Sequence, residues 1–111
     1  MIKFINVWKT INMCKKDKRN IKEVNYKEIN LKEYILIDVR SRREYEEYHL
    51  DNSINIPLFD IKRKIELYVR QKDKKILIYC EYGGRSAKAV KILNDLGYIN
   101  VFNLKGGLEN I

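Results

Sequence analysis

Residues 75–87 read Lys75-Ile76-Leu77-Ile78-Tyr79-Cys80-Glu81-Tyr82-Gly83-Gly84-Arg85-Ser86-Ala87. A continuous apolar run ends at a cysteine, a glycine-bearing loop follows, and a helix is expected to begin near Arg85 or Ser86. A strand that is apolar at consecutive positions is covered on both faces, the habit of parallel sheets lying under helices. Cys80 therefore falls at the carboxyl end of a buried strand, where open α/β sheets place their ligands. A helix starting directly behind the loop aims unpaired N–H groups and a partial positive charge at whatever the loop encloses. Gly83 and Gly84 allow the backbone to turn so that successive amides face inward. Arg85 adds a permanent cation whose fork suits oxyanions. Helix N-termini and neighbouring cations lower a cysteine pKa from ~8.5 into the range ~3.5–7.5, so Cys80 is expected to be a reactive thiolate. Glu81 opposes this with ~3 kcal/mol at ~6 Å and an effective dielectric of ~20, and Arg85 offsets it if Glu81 faces solvent.

Outward from this stretch the same alternation repeats. Tyr34-Ile35-Leu36-Ile37 is a second continuous apolar run, and Ile54–Ile56 and Val101–Leu104 are shorter ones. Ile61, Ile65, Tyr68 and Val69 recur at helical spacing behind Pro57, with Asp60 expected as N-cap. Ala89, Val90, Leu93 and Leu96 do the same, and Gly97 is placed to close that helix. Ser41-Arg42-Arg43-Glu44 has capping-box spacing, so a short helix should follow Asp38-Val39-Arg40. Strand–helix–strand alternation of this kind is the signature of an open α/β sheet.

The chain has 111 residues, 45% hydrophobic and 34% charged, which fits one globular domain rather than a disordered segment. No apolar run approaches the ~20 residues of a membrane span. Lys3 and Lys9 break the first residues, so no signal-peptide core is expected. Two cysteines do not make a disulfide framework, and a reducing, cytoplasmic setting is expected. Of the net charge of +8, most lies in residues 1–32, which hold nine Lys/Arg against three acidic residues. No nucleic-acid motif accompanies this charge, so it reads as a solvated face and no nucleic-acid partner is expected. Residues 1–20 stand apart as a basic amphipathic extension. Phe4, Val7, Trp8 and Ile11 predict a short N-terminal helix that docks on its own domain or pairs two copies in a homodimer, in preference to lying on a membrane. Cys14 has only lysines around it and reads as a filler or surface thiol.

Four pieces in order carry a family resemblance: Ile37-Asp38-Val39-Arg40 with Glu44-Tyr45; His49-Leu50 leading to Asn55-Ile56-Pro57; Cys80-Glu81-Tyr82-Gly83-Gly84-Arg85-Ser86; and Gly97-Tyr98 through Leu104-Lys105-Gly106-Gly107. Over residues 21–111 the chain resembles single-domain rhodanese-like sulfurtransferases. The resemblance implies a three-layer α/β/α domain around a five-stranded, mostly parallel sheet. It implies that Cys80 takes a sulfane sulfur from a small sulfur-containing anion such as thiosulfate and holds it as a persulfide. A thiol, a sulfur-relay protein or cyanide would then accept it. Glu81, Tyr82, Gly83, Gly84 and Arg85 would supply the substrate-binding loop, with Arg85 touching the donor's oxygens. The thiolate itself carries the group, so neither metal nor organic cofactor is expected.

Two other readings compete. A rhodanese-type fold can serve as a non-catalytic binding or redox-sensing module. Phosphatase or arsenate-reductase activity is the other: cysteine phosphatases place five residues between cysteine and arginine, whereas four separate Cys80 from Arg85, which makes a smaller cup. The family's usual glycine before the histidine is Tyr48 here, implying ordinary backbone angles, and its Gly-Ala is Asn52-Ser53, where asparagine tolerates a left-handed turn. Where the family commonly continues with a tryptophan and a longer helix the sequence has Ile111, and two readings stay open: the C-terminus is trimmed, or the N-terminal helix covers the exposed core instead. Asp38, Arg40, Glu44 and His49 read as structural: Asp38 caps amides at a strand end, Arg40 and Glu44 stand at ion-pair spacing, and His49 is a hydrogen-bonded turn residue. Glu44, Glu46, Glu47 and Asp51 read as a solvated face rather than a metal site.

Overall fold

The computed structural model describes residues 21–111. The expected N-terminal helix, its docking or dimer role, and Cys14 lie outside the described residues. Five strands form one sheet: β1 (Lys22–Val24), β2 (Ile35–Asp38), β3 (Ile54–Asn55), β4 (Ile76–Tyr79) and β5 (Val101–Leu104). Their spatial order is β1-β5-β4-β2-β3, and every neighbouring pair is parallel. The two continuous apolar runs form the interior pair β2 and β4, in register from Ile35 opposite Ile76 to Asp38 opposite Tyr79.

Three helices connect the strands: α1 (Arg42–Glu47), α2 (Leu58–Tyr68) and α3 (Gly84–Asp95). From β2 the chain passes through α1 outward to β3, while α2 and α3 lead back across the sheet toward β4 and β5. Right-handed crossovers therefore put α1 on one face and α2 with α3 on the other, giving three layers. Ile37, Ile61, Ile65, Ile78, Val90 and Leu93 fill the core under α2 and α3. Leu36, Leu50, Leu77, Tyr79 and Leu104 fill the opposite face, where single 3-10 turns at Tyr26–Glu28, Leu31–Glu33 and Gly107–Asn110 supply part of the cover.

The helix ends follow the local rules. Ser41 Oγ accepts from the Glu44 N–H while Glu44 Oε1 accepts from the Ser41 N–H, a complete capping box. At the end of α3 the Tyr98 N–H reaches the Leu93 carbonyl and the Gly97 N–H that of Asn94, a Schellman closure around Gly97 at φ +99. Asp60 is not an N-cap. Pro57 holds that place, and Asp60 sits in the first turn of α2, nearly buried, paired with Arg63 and Lys64. Proline needs no N–H partner at a helix start, so α2 begins earlier than the carboxylate suggested. Asn52 takes the left-handed angle (φ 67) and Tyr48 an extended one, as expected of those turn residues.

Candidate active site

The carboxyl ends of β2 and β4 diverge at the centre of the sheet. The connection leaving β2 runs to one face and that leaving β4 to the other, so a crevice opens between them. Cys80 follows β4 directly, and Asp38 ends β2 on the other side of the crevice, with Val39 and Arg40 following it. It is the free cysteine among the described residues and is only 1% exposed.

Burial alone would make Cys80 an inert core thiol, but polar groups converge on its sulfur. The Gly83 N–H donates to Sγ at 3.1 Å and the Ser86 N–H at 3.4 Å, and the Ser86 hydroxyl lies 3.3 Å away. Gly83 takes φ +105 as the N-cap of the twelve-residue α3, which turns its amide back toward the sulfur. Gly84 is already helical, and a side chain there would meet open space, so one glycine rather than two makes the turn. Burial pushes the Cys80 pKa up; the Ser86 hydroxyl and the amides of Ser86, Gly83 and Tyr82 outweigh it, and the net direction is down.

The charges around the loop are laced to the segment that follows β2. Arg40, buried, grips Asp38 through Nε and Nη2, donates to the Tyr48 carbonyl at 2.5 Å, and reaches Glu81 Oε1 at 3.3 Å. Asp38 also accepts from the Arg40 N–H at 2.9 Å, the amide-capping role expected of it. Glu81 is therefore held toward Arg40 and is only partly exposed instead of pointing freely into solvent. Arg40 precedes α1 and does not pair with Glu44, because the helix that would align them starts only at Arg42. Glu44 instead holds Arg85 in a two-pronged pair at 2.7 and 3.0 Å. Tyr82 points outward, 73% exposed. His49 stacks on Tyr45 at 3.7 Å between ring centres and its Nδ1 lies 2.7 Å from the Tyr45 carbonyl oxygen. It lines a groove with Tyr26, Leu31, Tyr34 and Leu36 instead of joining the cysteine loop.

The hydrogen bond to Arg85 holds the Glu44 carboxyl down at about 2, against an ordinary 4.5. A carboxylate depressed on folding stabilises the fold fully above its unfolded pKa and stops doing so as pH falls through the folded value. The urea midpoint of the protein should therefore drop between pH 5 and pH 2, and that drop should be shallower in Arg85→Ala. Equal slopes in the two proteins would show that the pair contributes nothing to acid sensitivity.

Sequence reasoning missed Ser86 and Asn103. Ser86 is fully buried in the first turn of α3, and its hydroxyl contacts the Gly83 carbonyl and Asn103 Oδ1 as well as the sulfur. A hydroxyl six positions after the cysteine was the available signal for Ser86. Asn103 is brought in by β5 and had none. Beneath the loop the Leu108 and Glu109 N–H groups donate to the Cys80 and Glu81 carbonyls, both at 2.9 Å, so the 3-10 turn after β5 closes the site from below.

Known proteins share this fold and part of this sequence. The chain is 40% identical over 75 residues to the thiosulfate sulfurtransferase PspE of Escherichia coli, a match covering 68% of this chain and 71% of that protein. It is 38% identical over 101 residues to the adenylyltransferase and sulfurtransferase UBA4 of Candida albicans, covering 84% of this chain but only 23% of that one. The crystal structure of a rhodanese-related protein from Thermoplasma volcanium superposes with a TM-score of 0.71 at 34% identity, covering 79% of this chain and 87% of the other. The profile of the rhodanese-like domain matches residues 22–111, and the chain belongs to that family.

Proposed function

We propose that this protein is a sulfurtransferase in which Cys80 carries the sulfur. The observation that supports it most directly is the sulfur's setting: two backbone N–H groups and a hydroxyl surround it at the start of a helix, and its pKa is driven down despite burial. The similarity to PspE supports the same reaction class. In the first half-reaction the thiolate attacks the outer sulfur of a small anion such as thiosulfate. The S–S bond of the donor breaks, sulfite leaves with the electron pair, and Cys80 becomes a persulfide. In the second, a thiol, a sulfur-relay protein or cyanide attacks the outer sulfur, and Cys80 leaves as thiolate. The reaction is closed without metal or organic cofactor.

The loop amides from Glu81 to Gly84 and the start of α3 are the groups proposed to meet the donor's oxygens. Arg85 adds positive charge nearby, with its Nη atoms engaged by Glu44. A phosphate would have to displace that carboxylate and fit a loop one residue shorter than phosphatases use, which disfavours phosphatase chemistry. Among the described residues, no helix is long and apolar enough to cross a membrane.

Mass spectrometry tests the proposal without a choice of acceptor. After incubation with thiosulfate, the peptide containing Cys80 should gain one sulfur, about 32 Da, and lose it again on addition of cyanide. A folded protein whose Cys80 stays unmodified with thiosulfate and with other sulfane donors would overturn it and leave a binding or redox-sensing domain.

A further inference from the structure

We propose that Asn103 is a positioning residue for Cys80, holding the Ser86 hydroxyl proton away from a thiol and releasing it to a thiolate. Its meaning for sulfur transfer rests on Cys80 being the carrier, but the geometry and its test do not.

Asn103 is 1% exposed on β5. Its Nδ2 lies 3.3 Å from both the Gly83 carbonyl and Glu23 Oε2, and its Oδ1 lies 2.5 Å from Ser86 Oγ. The reverse amide orientation would set Oδ1 against two acceptors, so the carbonyl end faces Ser86. A serine hydroxyl has one proton, and that of Ser86 has three acceptors in reach: Asn103 Oδ1 at 2.5 Å, the Gly83 carbonyl at 3.1 Å and Cys80 Sγ at 3.3 Å. While the sulfur is a thiol, the shortest of these takes the proton. Once the sulfur ionises it becomes a charged acceptor, which draws the hydroxyl more strongly than a neutral carbonyl. Turning toward sulfur leaves Asn103 Oδ1 buried without a donor, a penalty that falls only on the ionised state. Asn103 thus works against ionisation through Ser86, and the site balances thiol against thiolate instead of favouring thiolate outright. During sulfur transfer the hydroxyl would face Sγ before attack on the donor, return to Asn103 while Sγ bears the extra sulfur, and turn again as Cys80 leaves.

The test follows alkylation of Cys80 by iodoacetamide as a function of pH, read on the Cys80 peptide so that Cys14 does not contribute. Asn103→Leu should lower the midpoint by about one pH unit, and the same change in a Ser86→Ala background should move it by less than about 0.2. The surrounding charges are Asp38, Arg40, Glu44, Glu81, Arg85 and, beyond Asn103, Glu23; the Tyr79 hydroxyl is tied to Leu50 and Ser53. All are retained in both backgrounds, so their field cancels in the comparison. Asn103→Ala reads the same quantity should the leucine not fit. An unchanged or raised midpoint, or an equal shift with and without Ser86, would overturn the proposal. Loss of melting temperature with no Ser86-dependent shift would show that Asn103 is only a structural support.

Discussion

Cys80→Ser should lose at least about a thousandfold of the rate of sulfur transfer from thiosulfate to cyanide while folding almost normally. A serine hydroxyl at this place would still accept from the Gly83 and Ser86 amides, so the loop keeps its partners. It would not be ionised near neutral pH, and an oxygen is a poor carrier of sulfane sulfur, so both half-reactions lose their reactive atom. The assay pairs initial rates with a thermal unfolding curve. A variant that keeps more than a tenth of the rate and melts within a few degrees of the parent would remove Cys80 from the mechanism altogether.

The second large effect is on stability and comes from Gly107. Its φ is +63, and a Cβ added there would lie 2.5 Å from the carbonyl oxygens of both Cys80 and Glu81, backbone atoms with no room to retreat. Those same carbonyls accept from Leu108 and Glu109, so relieving the clash means breaking the contacts that close the site. Gly107→Ala should therefore cost about 3 kcal/mol or more, with a fall of at least about 10 °C in melting temperature. Gly97→Ala is the control. Its φ of +99 is equally unsuited to alanine, yet nothing lies within 4 Å of the added carbon, so only backbone strain of about 1–2 kcal/mol applies. Equal losses in the two variants would mean that the contact with the cysteine loop adds nothing. Because the turn bears on the loop itself, Gly107→Ala should also slow sulfur transfer in whatever fraction remains folded.

What the sequence displayed were features whose causes are local. The apolar run of β4 declares itself because both faces are buried, and β5 begins and ends where its apolar residues do. Ser41 with Glu44, and Gly97 behind Leu93, act over one turn of chain and were readable for that reason. β1 was not legible: it has three residues, two of them charged and exposed, because it lies at the sheet edge. The pattern around Cys80 announced the strand, the turn and the helix start, and these fix two of the sulfur's hydrogen-bond donors. It misassigned the charges. Whether Glu81 meets Arg40 and Arg85 meets Glu44 depends on how the segment after β2 lies against the loop, a contact spanning 41 positions. Asn103 is hidden for the same reason, being an unremarkable asparagine until β5 sets it beside α3. Helix and strand periodicities report burial, and they carry no information about which polar groups will face each other across a crevice.

The parallel pairing of β1 with β5 carries a consequence for biogenesis. Glu23 ends up bonded to Asn103, 80 positions later, and the carbonyls of Cys80 and Glu81 are satisfied only by amides at 108 and 109. Such distant pairings make the search for the native state slow. They also mean that a nascent chain whose residues 103–109 are still inside the ribosome exit tunnel has a thiol but no finished cradle around it. The turn that holds the cysteine loop from below is thus made by the last of the described residues to emerge.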